Sequence, residues 1–416
     1  DAEKAKQVLP FSMIDSEDPE DLWHYMAGYE EKTGGHVLAI PHNGNLSNGM
    51  MFAVEDLKGN AITKEYAEQR NRWEPLVEVT QMKGDGETHP FLSPNDEFAD
   101  FETWDKGNLL QYAPKEKSML QYEYGRSALK LGLQLEQKLG TNPFKFGMIG
   151  STDSHTSLST TQEDNFWGKV SCSEPSEERY KQTVFESGDD EKQTTYTWEM
   201  VASGLAAVWA RENTRAALFE AMQRKETYAT TGPRMAVRFF GGWNFSSEDA
   251  FCPDLAETGY SKGVPMGGDL NRAPKGKAPA FLVAALKDPI GANLDRIQII
   301  KGWVEEKGTL REKVYNLALS DDRKVGTGEK VKPVGNTVDV KSATYANTIG
   351  DPELRAVWAD PDFNPKQRAF YYARVIEIPT PRWTAYDAKY FGIKMPKHVP
   401  MTTQERAYTS PIWYTP

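Results

Sequence analysis

A short motif, Gly150-Ser-Thr-Asp-Ser-His155, carries the clearest chemical signal in the chain. It directly follows an apolar run, residues 144–149, which predicts a buried strand. An aspartate and a histidine two residues apart, just past a strand end, can both turn toward one point above a sheet. Carboxylate and imidazole groups are suitable ligands for Zn, Mn or Fe. The alternative is a turn in which Asp153 caps the next segment and His155 is simply exposed.

Polar residues also accompany two earlier predicted strands. Residues 37–40 form a short apolar run, and His42 comes shortly after it. Residues 76–80 predict a strand that carries Glu78. Because the carboxyl ends of strands in parallel sheets and barrels build their sites, we expect His42 to lie near the first motif. This repeated placement at strand ends favours a metal site over ordinary core packing.

Arg234 follows another predicted strand, residues 227–231, and a Gly-Pro turn. A guanidinium group matches phosphate or carboxylate with two hydrogen bonds, so Arg234 could hold an anionic substrate group. An ordinary surface arginine is the alternative. The turn Lys83-Gly-Asp-Gly86 lacks the glycine spacing and the following helix of a phosphate-binding loop.

Helix and strand patterns alternate in the first part of the chain. Predicted helices at 16–33, 62–73 and 118–139 each precede one of the strands at 37–40, 76–80 and 144–149. This alternation predicts an α/β fold with a parallel sheet or barrel. Residues 156–197 are polar and predict a long surface loop or lid. A last helix and strand would complete a first domain, residues 1–234.

The character of the sequence changes after residue 234. Alternating apolar and polar runs are separated by turns rich in Gly, Pro and Asp. This pattern predicts a β-rich, sandwich-like second domain, residues 235–416, that ends in an aromatic tail.

Composition narrows the possible partners. The 416 residues carry a formal net charge of −11 and show no basic stripe, so nucleic acid is not an expected partner. No apolar run approaches membrane-spanning length. The cysteines, Cys172 and Cys252, could form one disulfide, and two thiols do not decide the compartment. The first residue is Asp, so we expect an N-terminal piece to have been removed or not included.

Three of these segments resemble the later metal motifs of the PHP (polymerase and histidinol phosphatase) superfamily. They are Ile40-Pro-His-Asn-Gly-Asn45, Glu78-Val-Thr-Gln-Met-Lys-Gly-Asp85 and Gly150-Ser-Thr-Asp-Ser-His155. Segments 212–215, 228–234, 378–383 and 410–414 resemble a large uncharacterised branch of it, so the resemblance covers nearly the whole chain. It implies part of a distorted (β/α)7 barrel and a site that hydrolyses phosphate esters with two or three divalent metal ions.

The resemblance also implies roles for single residues. His42, Asp153 and His155 match metal ligands, and Glu78 matches an acidic position beside the site. The superfamily's opening His-x-His is absent, and only two histidines precede His42. We therefore expect this chain to be the later part of a longer protein, whose remaining ligands lie on a missing N-terminal segment or a separate chain.

Together these features predict a metal-dependent hydrolase, foremost a phosphoesterase whose metal ions activate water. Glu78 and Arg234 are the candidate catalytic residues, and the substrate would be a small anionic or phosphoester molecule. One alternative is hydrolysis of an amide or lactone by the same metals. Another is a non-catalytic binding or scaffold protein with a vestigial metal site, because the second half is rich in aromatic residues. The resemblance favours a periplasmic or extracellular location and leaves the cytoplasm open.

Overall fold

The computed structural model describes residues 2–186, 193–326 and 330–416. The helices in these ranges are α1 (Ala2–Ala5), α2 (Pro19–Thr33), α3 (Lys64–Trp73), α4 (Gly125–Leu139), α5 (Arg215–Gln223), α6 (Leu255–Lys262) and α7 (Trp383–Phe391). Local sequence explains the limits of α2. The side chain of Asp18 accepts a hydrogen bond from the Glu20 N–H at the start of α2, and Gly34 ends that helix in the left-handed region.

The strands of the first part of the chain are short. They are β1 (Leu76–Gln81), β2 (Gly84–Asp85), β3 (Gly147–Gly150), β4 (Thr183–Phe185), β5 (Thr195–Tyr196), β6 (Leu205–Val208) and β7 (Thr227–Thr230). The longer strands follow. They are β8 (Ala236–Gly242), β9 (Gly263–Pro265), β10 (Asp269–Asn271), β11 (Ala280–Leu286), β12 (Leu294–Val304), β13 (Leu310–Leu319), β14 (Glu353–Ala359), β15 (Ala369–Glu377), β16 (Thr380–Pro381), β17 (Thr402–Thr403), β18 (Arg406–Thr409) and β19 (Ile412–Thr415).

A small sheet carries the first motif. Its strand order is β2-β1-β3, with β1 and β3 parallel and Glu78 opposite Ile149. The predicted strand at 37–40 is not a strand of any sheet in the structure. It lies beside β1, because the Ala39 N–H donates to the Trp73 carbonyl and the Glu78 N–H donates to the Pro41 carbonyl.

The largest sheet joins distant parts of the chain. It has eight strands, with β7 between β6 and β18, and β15 paired with β12, β18 and β19. A four-stranded antiparallel sheet, β14-β11-β8-β9, packs beside it through a core rich in aromatic rings. A second core lies between α4, the small sheet and the large sheet, and includes Leu129, Met148 and Tyr372. Strands on both sides of residue 234 therefore share one sheet.

The prediction of an α/β fold with part of a (β/α)7 barrel is wrong. Across the described ranges the sheets are mostly antiparallel and none closes on itself, so the fold is β-rich. The alternation of helix and strand patterns does not specify which strands pair. The strand at 227–230 pairs antiparallel with β6 and β18, whereas a barrel requires parallel neighbours.

Several smaller predictions can be compared directly with the structure. Within the long polar segment 156–197, β4 and β5 form a short hairpin, and residues 187–192 lie outside the described residues. Cys172 and Cys252 are both free thiols. In the described part of the chain, no helix combines the length and the apolar character needed to cross a bilayer.

Candidate functional site

Gly150 fixes the position of the first motif. A Cβ atom at this residue would lie 2.8 Å from the Thr230 carbonyl oxygen and 2.9 Å from the Leu205 carbonyl oxygen. Both distances are shorter than real Cβ contacts, so only glycine lets the end of β3 approach β6 and β7 this closely. The backbone after Gly150 is then held by the Gly204 N–H, which donates to the Ser151 carbonyl. This close packing places residues 151–155 at the edge of the small sheet where β1 and β3 end.

Lys169, from the long polar segment, closes over the motif. Its Nζ donates to the Asp153 carbonyl oxygen at 2.8 Å, and its own carbonyl accepts from the His155 N–H at 2.8 Å. Asp153 has φ 53°, a left-handed conformation in which a non-glycine residue is strained. The contacts with Lys169 offset that strain and hold the Asp153 carboxylate at the centre of the cluster.

The Asp153 carboxylate lies between two ammonium groups. Lys83 Nζ contacts Asp153 Oδ2, and Lys169 Nζ lies 2.7 Å from the same oxygen. Both ammonium groups therefore contact the same carboxylate oxygen. His155 Nε2 lies 3.2 Å from Asp153 Oδ1 and 3.1 Å from Lys169 Nζ. Asp153, His155, Lys83 and Lys169 form what we call the lysine cluster.

Burial and mutual repulsion weaken the positive charge of this cluster. Burial and then the charge of Lys169 lower the pKa of Lys83 to about 6, while Glu78 acts in the opposite direction. Burial likewise lowers the pKa of Lys169. The charge of Lys169, and then burial, lower the pKa of the exposed His155.

Glu78 belongs to the same edge of the small sheet. It lies on β1, half-buried, and its carboxylate accepts a hydrogen bond from Ser151 Oγ. Its negative charge acts on both lysines of the cluster and favours their ammonium forms. The structure therefore brings Glu78 close to the motif after β3, as a neighbour of the cations.

The residues that follow His42 contact this edge of the small sheet. Asn43 Oδ1 accepts from Gln81 Nε2 at 2.6 Å, and Gln81 Oε1 accepts from the Lys83 N–H at 2.9 Å. Asn45 Nδ2 donates to the Lys83 carbonyl at 3.1 Å. The 42–45 segment thus holds the backbone of Lys83, whereas the imidazole of His42 is exposed.

Arg234 is exposed and lies shortly after β7. Its backbone N–H donates to Asp288 Oδ2 at 2.7 Å. That contact connects Arg234 to a different group of acidic residues, described below, and does not connect it to Asp153.

The donor set is too small for a centre of two or three metal ions. Within residues 2–186, 193–326 and 330–416, no three His, Cys, Asp or Glu side chains are grouped so that they could hold a metal ion. Asp153 and His155 offer two donors, and Lys169 contacts both of them. The described residues by themselves do not fit a multinuclear centre, and the metal site stays a prediction.

Lys83 and Lys169 are the residues that sequence reasoning missed. Lys83 directly follows β1, and that position was its available signal, but its turn lacks a phosphate-loop glycine pattern. Lys169 lies in the polar segment 156–197, where nothing in the local pattern marks it. Only the folded chain shows that both ammonium groups are almost fully buried on one carboxylate.

Comparison with known proteins gives one family. A family model described as "Protein of unknown function (DUF3604)" matches residues 1–416. A search of curated proteins finds no match.

Proposed function

Because the chain belongs to the DUF3604 family along its whole length, and that description names no activity, we propose a function from the site itself: hydrolysis of a small phosphate ester at the lysine cluster. The observation that carries the proposal is the pair of buried ammonium groups, Lys83 and Lys169, on one carboxylate at the ends of β1 and β3. The resemblance to the PHP superfamily supports the same reaction class and stays a prediction.

The cluster has the chemistry needed to bind a phosphate ester. Burial lowers the pKa values of Lys83 and Lys169. A bound anion stabilises the ammonium form of each side chain, because a nearby negative charge favours that form. Two such groups can each bind an ester oxygen, and Lys acts as a point charge toward phosphate. Asp153 holds the two lysines in place between turnovers.

The same residues can assist the transfer of protons. The depressed pKa of His155 keeps its exposed imidazole neutral near pH 7, so it can accept a proton from water that attacks phosphorus. The bond between phosphorus and the leaving oxygen then breaks, and that oxygen takes a proton from an ammonium of the cluster. The products are an alcohol and inorganic phosphate. The two cations would also stabilise the negative charge on the transferred group in the transition state.

We derive no step through a metal ion, because the described residues do not fit a multinuclear centre. If one ion is held by Asp153 and His155, it must displace Lys169 from both groups, and its chemistry would be to supply a more acidic bound water. Metal dependence is therefore a separate arm of the experiment.

The test is hydrolysis of p-nitrophenyl phosphate by the full chain, with and without Mn²⁺ or Zn²⁺ after chelator treatment. Lys83→Met and Lys169→Met should each lower kcat/KM by about 100-fold, the usual effect of removing a charge-stabilising donor. Lys366→Met, at an exposed position far along the sequence from the cluster, is the matched control and should change it less than about twofold.

Each outcome separates the candidates. Hydrolysis without added metal, lost in the two cluster variants, supports the proposal. Hydrolysis that requires metal and is lost in Asp153→Asn supports the metal-dependent form of the same activity. Cleavage of a lactone or an anilide but not of the phosphate ester would favour the amide or lactone alternative. No turnover of any of these substrates would overturn the enzymatic proposal and favour the binding or scaffold alternative.

A further inference from the structure

A cavity with acidic residues in its lining shares no residue with the lysine cluster. Its volume is about 270 Å³, near the lower limit for small-ligand sites. It opens between the 161–164 segment, the 288–292 turn and the end of β15. The acidic residues in its lining are Glu163, Asp164, Asp288, Glu377 and Glu405. We call it the acidic cavity.

Glu163 and Glu405 form a buried pair in this cavity. Their carboxyl groups lie close enough to affect each other's protonation. The Trp383 N–H donates to Glu163, and Thr231 Oγ1 donates to Glu405. Burial raises the pKa of Glu163 to about 7, although Arg382 opposes the change. Burial, and then the charge of Glu163, raise the pKa of Glu405 well above its ordinary value.

Glu377 is the unusual member of the group. It is 1% exposed and ends β15, and its buried Oε1 receives no hydrogen bond. The nearby Lys287 does not bond to it, because the Lys287 ammonium donates to the carbonyls of Asp288 and Gly291. Leaving a buried acceptor unpaired costs about 1–3 kcal/mol, so such groups are rare unless a partner arrives from outside.

Aromatic rings complete the lining. Tyr345 and Tyr386 both face the cavity. Burial, followed by the charge of Asp164, raises the pKa of Tyr386 to about 12, so this ring stays neutral at physiological pH. A tyrosine face attracts cations. A cavity that joins carboxyl groups and neutral aromatic faces therefore matches a positively charged ligand.

We propose that the acidic cavity binds a small organic ammonium ion, with the free oxygen of Glu377 as its acceptor. Within the described ranges the carboxyl groups are not grouped in threes that could hold a metal ion, which disfavours a compact divalent cation. The cavity that they line has a volume of about 270 Å³, which an alkylammonium chain can fill. Five acidic residues around one cavity suit a ligand with more than one ammonium group.

The proposal does not depend on the phosphoesterase activity. The test is calorimetric titration of the full chain with 1,4-diaminobutane, with butane-1,4-diol as the uncharged analogue and Ca²⁺ as the metal arm. We expect saturable binding of the diamine and none of the diol. Glu377→Gln should weaken diamine binding at least about tenfold, because an arriving ammonium group favours the ionised form of the Glu377 carboxyl group and an amide cannot ionise. Glu306→Gln, at an exposed turn, is the matched control and should bind as the wild type does.

Several outcomes would contradict the proposal. Absence of diamine binding, or saturable Ca²⁺ binding without diamine binding, would overturn the proposal. Wild-type affinity in Glu377→Gln would overturn the role of Glu377 and with it the proposal. If that variant does not fold, as judged by circular dichroism, Glu405→Gln replaces it with the same expected loss. Hydrolysis of p-nitrophenyl phosphate should be unchanged in these variants, so failure here is distinct from failure of the proposed function.

Discussion

Two buried groups of charged residues in this protein differ in how their carboxyl groups are paired. In the first, Asp96 lies between two arginines that are fully buried: Arg126 Nη2 is 2.8 Å from Oδ2 and Arg374 Nη2 is 2.6 Å from Oδ1. Arg126 also donates to Glu87 at 2.8 Å. We call this the arginine network. In the second, the acidic cavity, Glu377 has an oxygen with no donor and its neighbours are other carboxyl groups.

The pKa directions differ accordingly. Burial opposes the charge of Asp96, yet Arg374 and Arg126 hold its pKa well below the ordinary value. Burial and then Asp288 raise the pKa of Glu377 well above its ordinary value, and Lys287 compensates only in part. In the arginine network each arginine has carboxylate partners, although Arg374 Nη1 makes no hydrogen bond and lies 3.5 Å from Glu87 Oε2, and the network connects α4 with the large sheet. The acidic cavity is unmatched, and a group that the fold leaves without a partner is a candidate for binding something else.

The largest expected effect belongs to the matched group. Asp96→Asn keeps the shape of the side chain but leaves two buried arginines facing an amide. We expect the free energy of unfolding, measured in urea, to fall by about 3–5 kcal/mol, as for other broken buried ion pairs. Asp96 also accepts from the Phe98 N–H, and the amide oxygen of Asn can replace that contact.

The control for Asp96→Asn is the same chemical change on the surface. Glu353 pairs with Arg355 while 39% of its side chain is exposed. Glu353→Gln should change the free energy of unfolding by less than about 1 kcal/mol. Equal losses in the two variants would show that the arginine network contributes no more than a surface pair.

The pH dependence of stability should distinguish the acidic cavity from the arginine network. The folded-state pKa of Glu163 is about 7, above its ordinary value of 4.5, so the folded chain binds the proton more strongly than the unfolded chain. Its contribution is fully present below pH 4.5 and is lost as pH rises through about 7. The difference between the two pKa values corresponds to roughly 3 kcal/mol. Glu163→Gln removes this titration and should flatten the fall in stability over that range.

The measurement is urea unfolding of both proteins at several pH values between 4 and 8. Because Glu163 and Glu405 are coupled, the midpoint of the change belongs to the pair. Glu306→Gln should retain the wild-type pH profile. Parallel profiles for the wild type and Glu163→Gln would mean that the pair does not hold its proton in the folded state.

The sequence predicts individual elements better than it predicts their arrangement. The apolar runs at 76–80 and 144–149 and the signals around Asp18 and Gly34 correspond to β1, β3 and α2. These signals are local, because they depend on side-chain periodicity and helix capping. The partners of β7 are not local: β18 begins at Arg406. Periodicity does not specify such long-range pairing, and the barrel expectation failed for this reason.

Some residues of the candidate site can be predicted from local sequence, and others come together only in the folded chain. Asp153 and His155 lie at a strand end in the sequence and in the structure, because a short strand and a turn determine both positions. The ammonium groups that surround Asp153 come from Lys83 and Lys169, and lysine in a polar segment usually indicates a solvated surface. The acidic cavity likewise combines residues 163, 377 and 405, which are far apart in the sequence. Burial of their charges is a tertiary property.

The smallest expected effect completes the comparison, because Glu377→Gln makes in the acidic cavity the same kind of change that Asp96→Asn makes in the arginine network. The raised pKa of Glu377 favours its protonated form, which resembles a carboxamide in shape and in hydrogen bonding. We therefore expect the free energy of unfolding in urea at pH 6 to change by less than about 1 kcal/mol. A loss of about 3 kcal/mol or more, as expected for Asp96→Asn, would mean that Glu377 is ionised and paired in the folded protein. The acidic cavity would then be a second matched network, and its free carboxyl oxygen would not await a ligand.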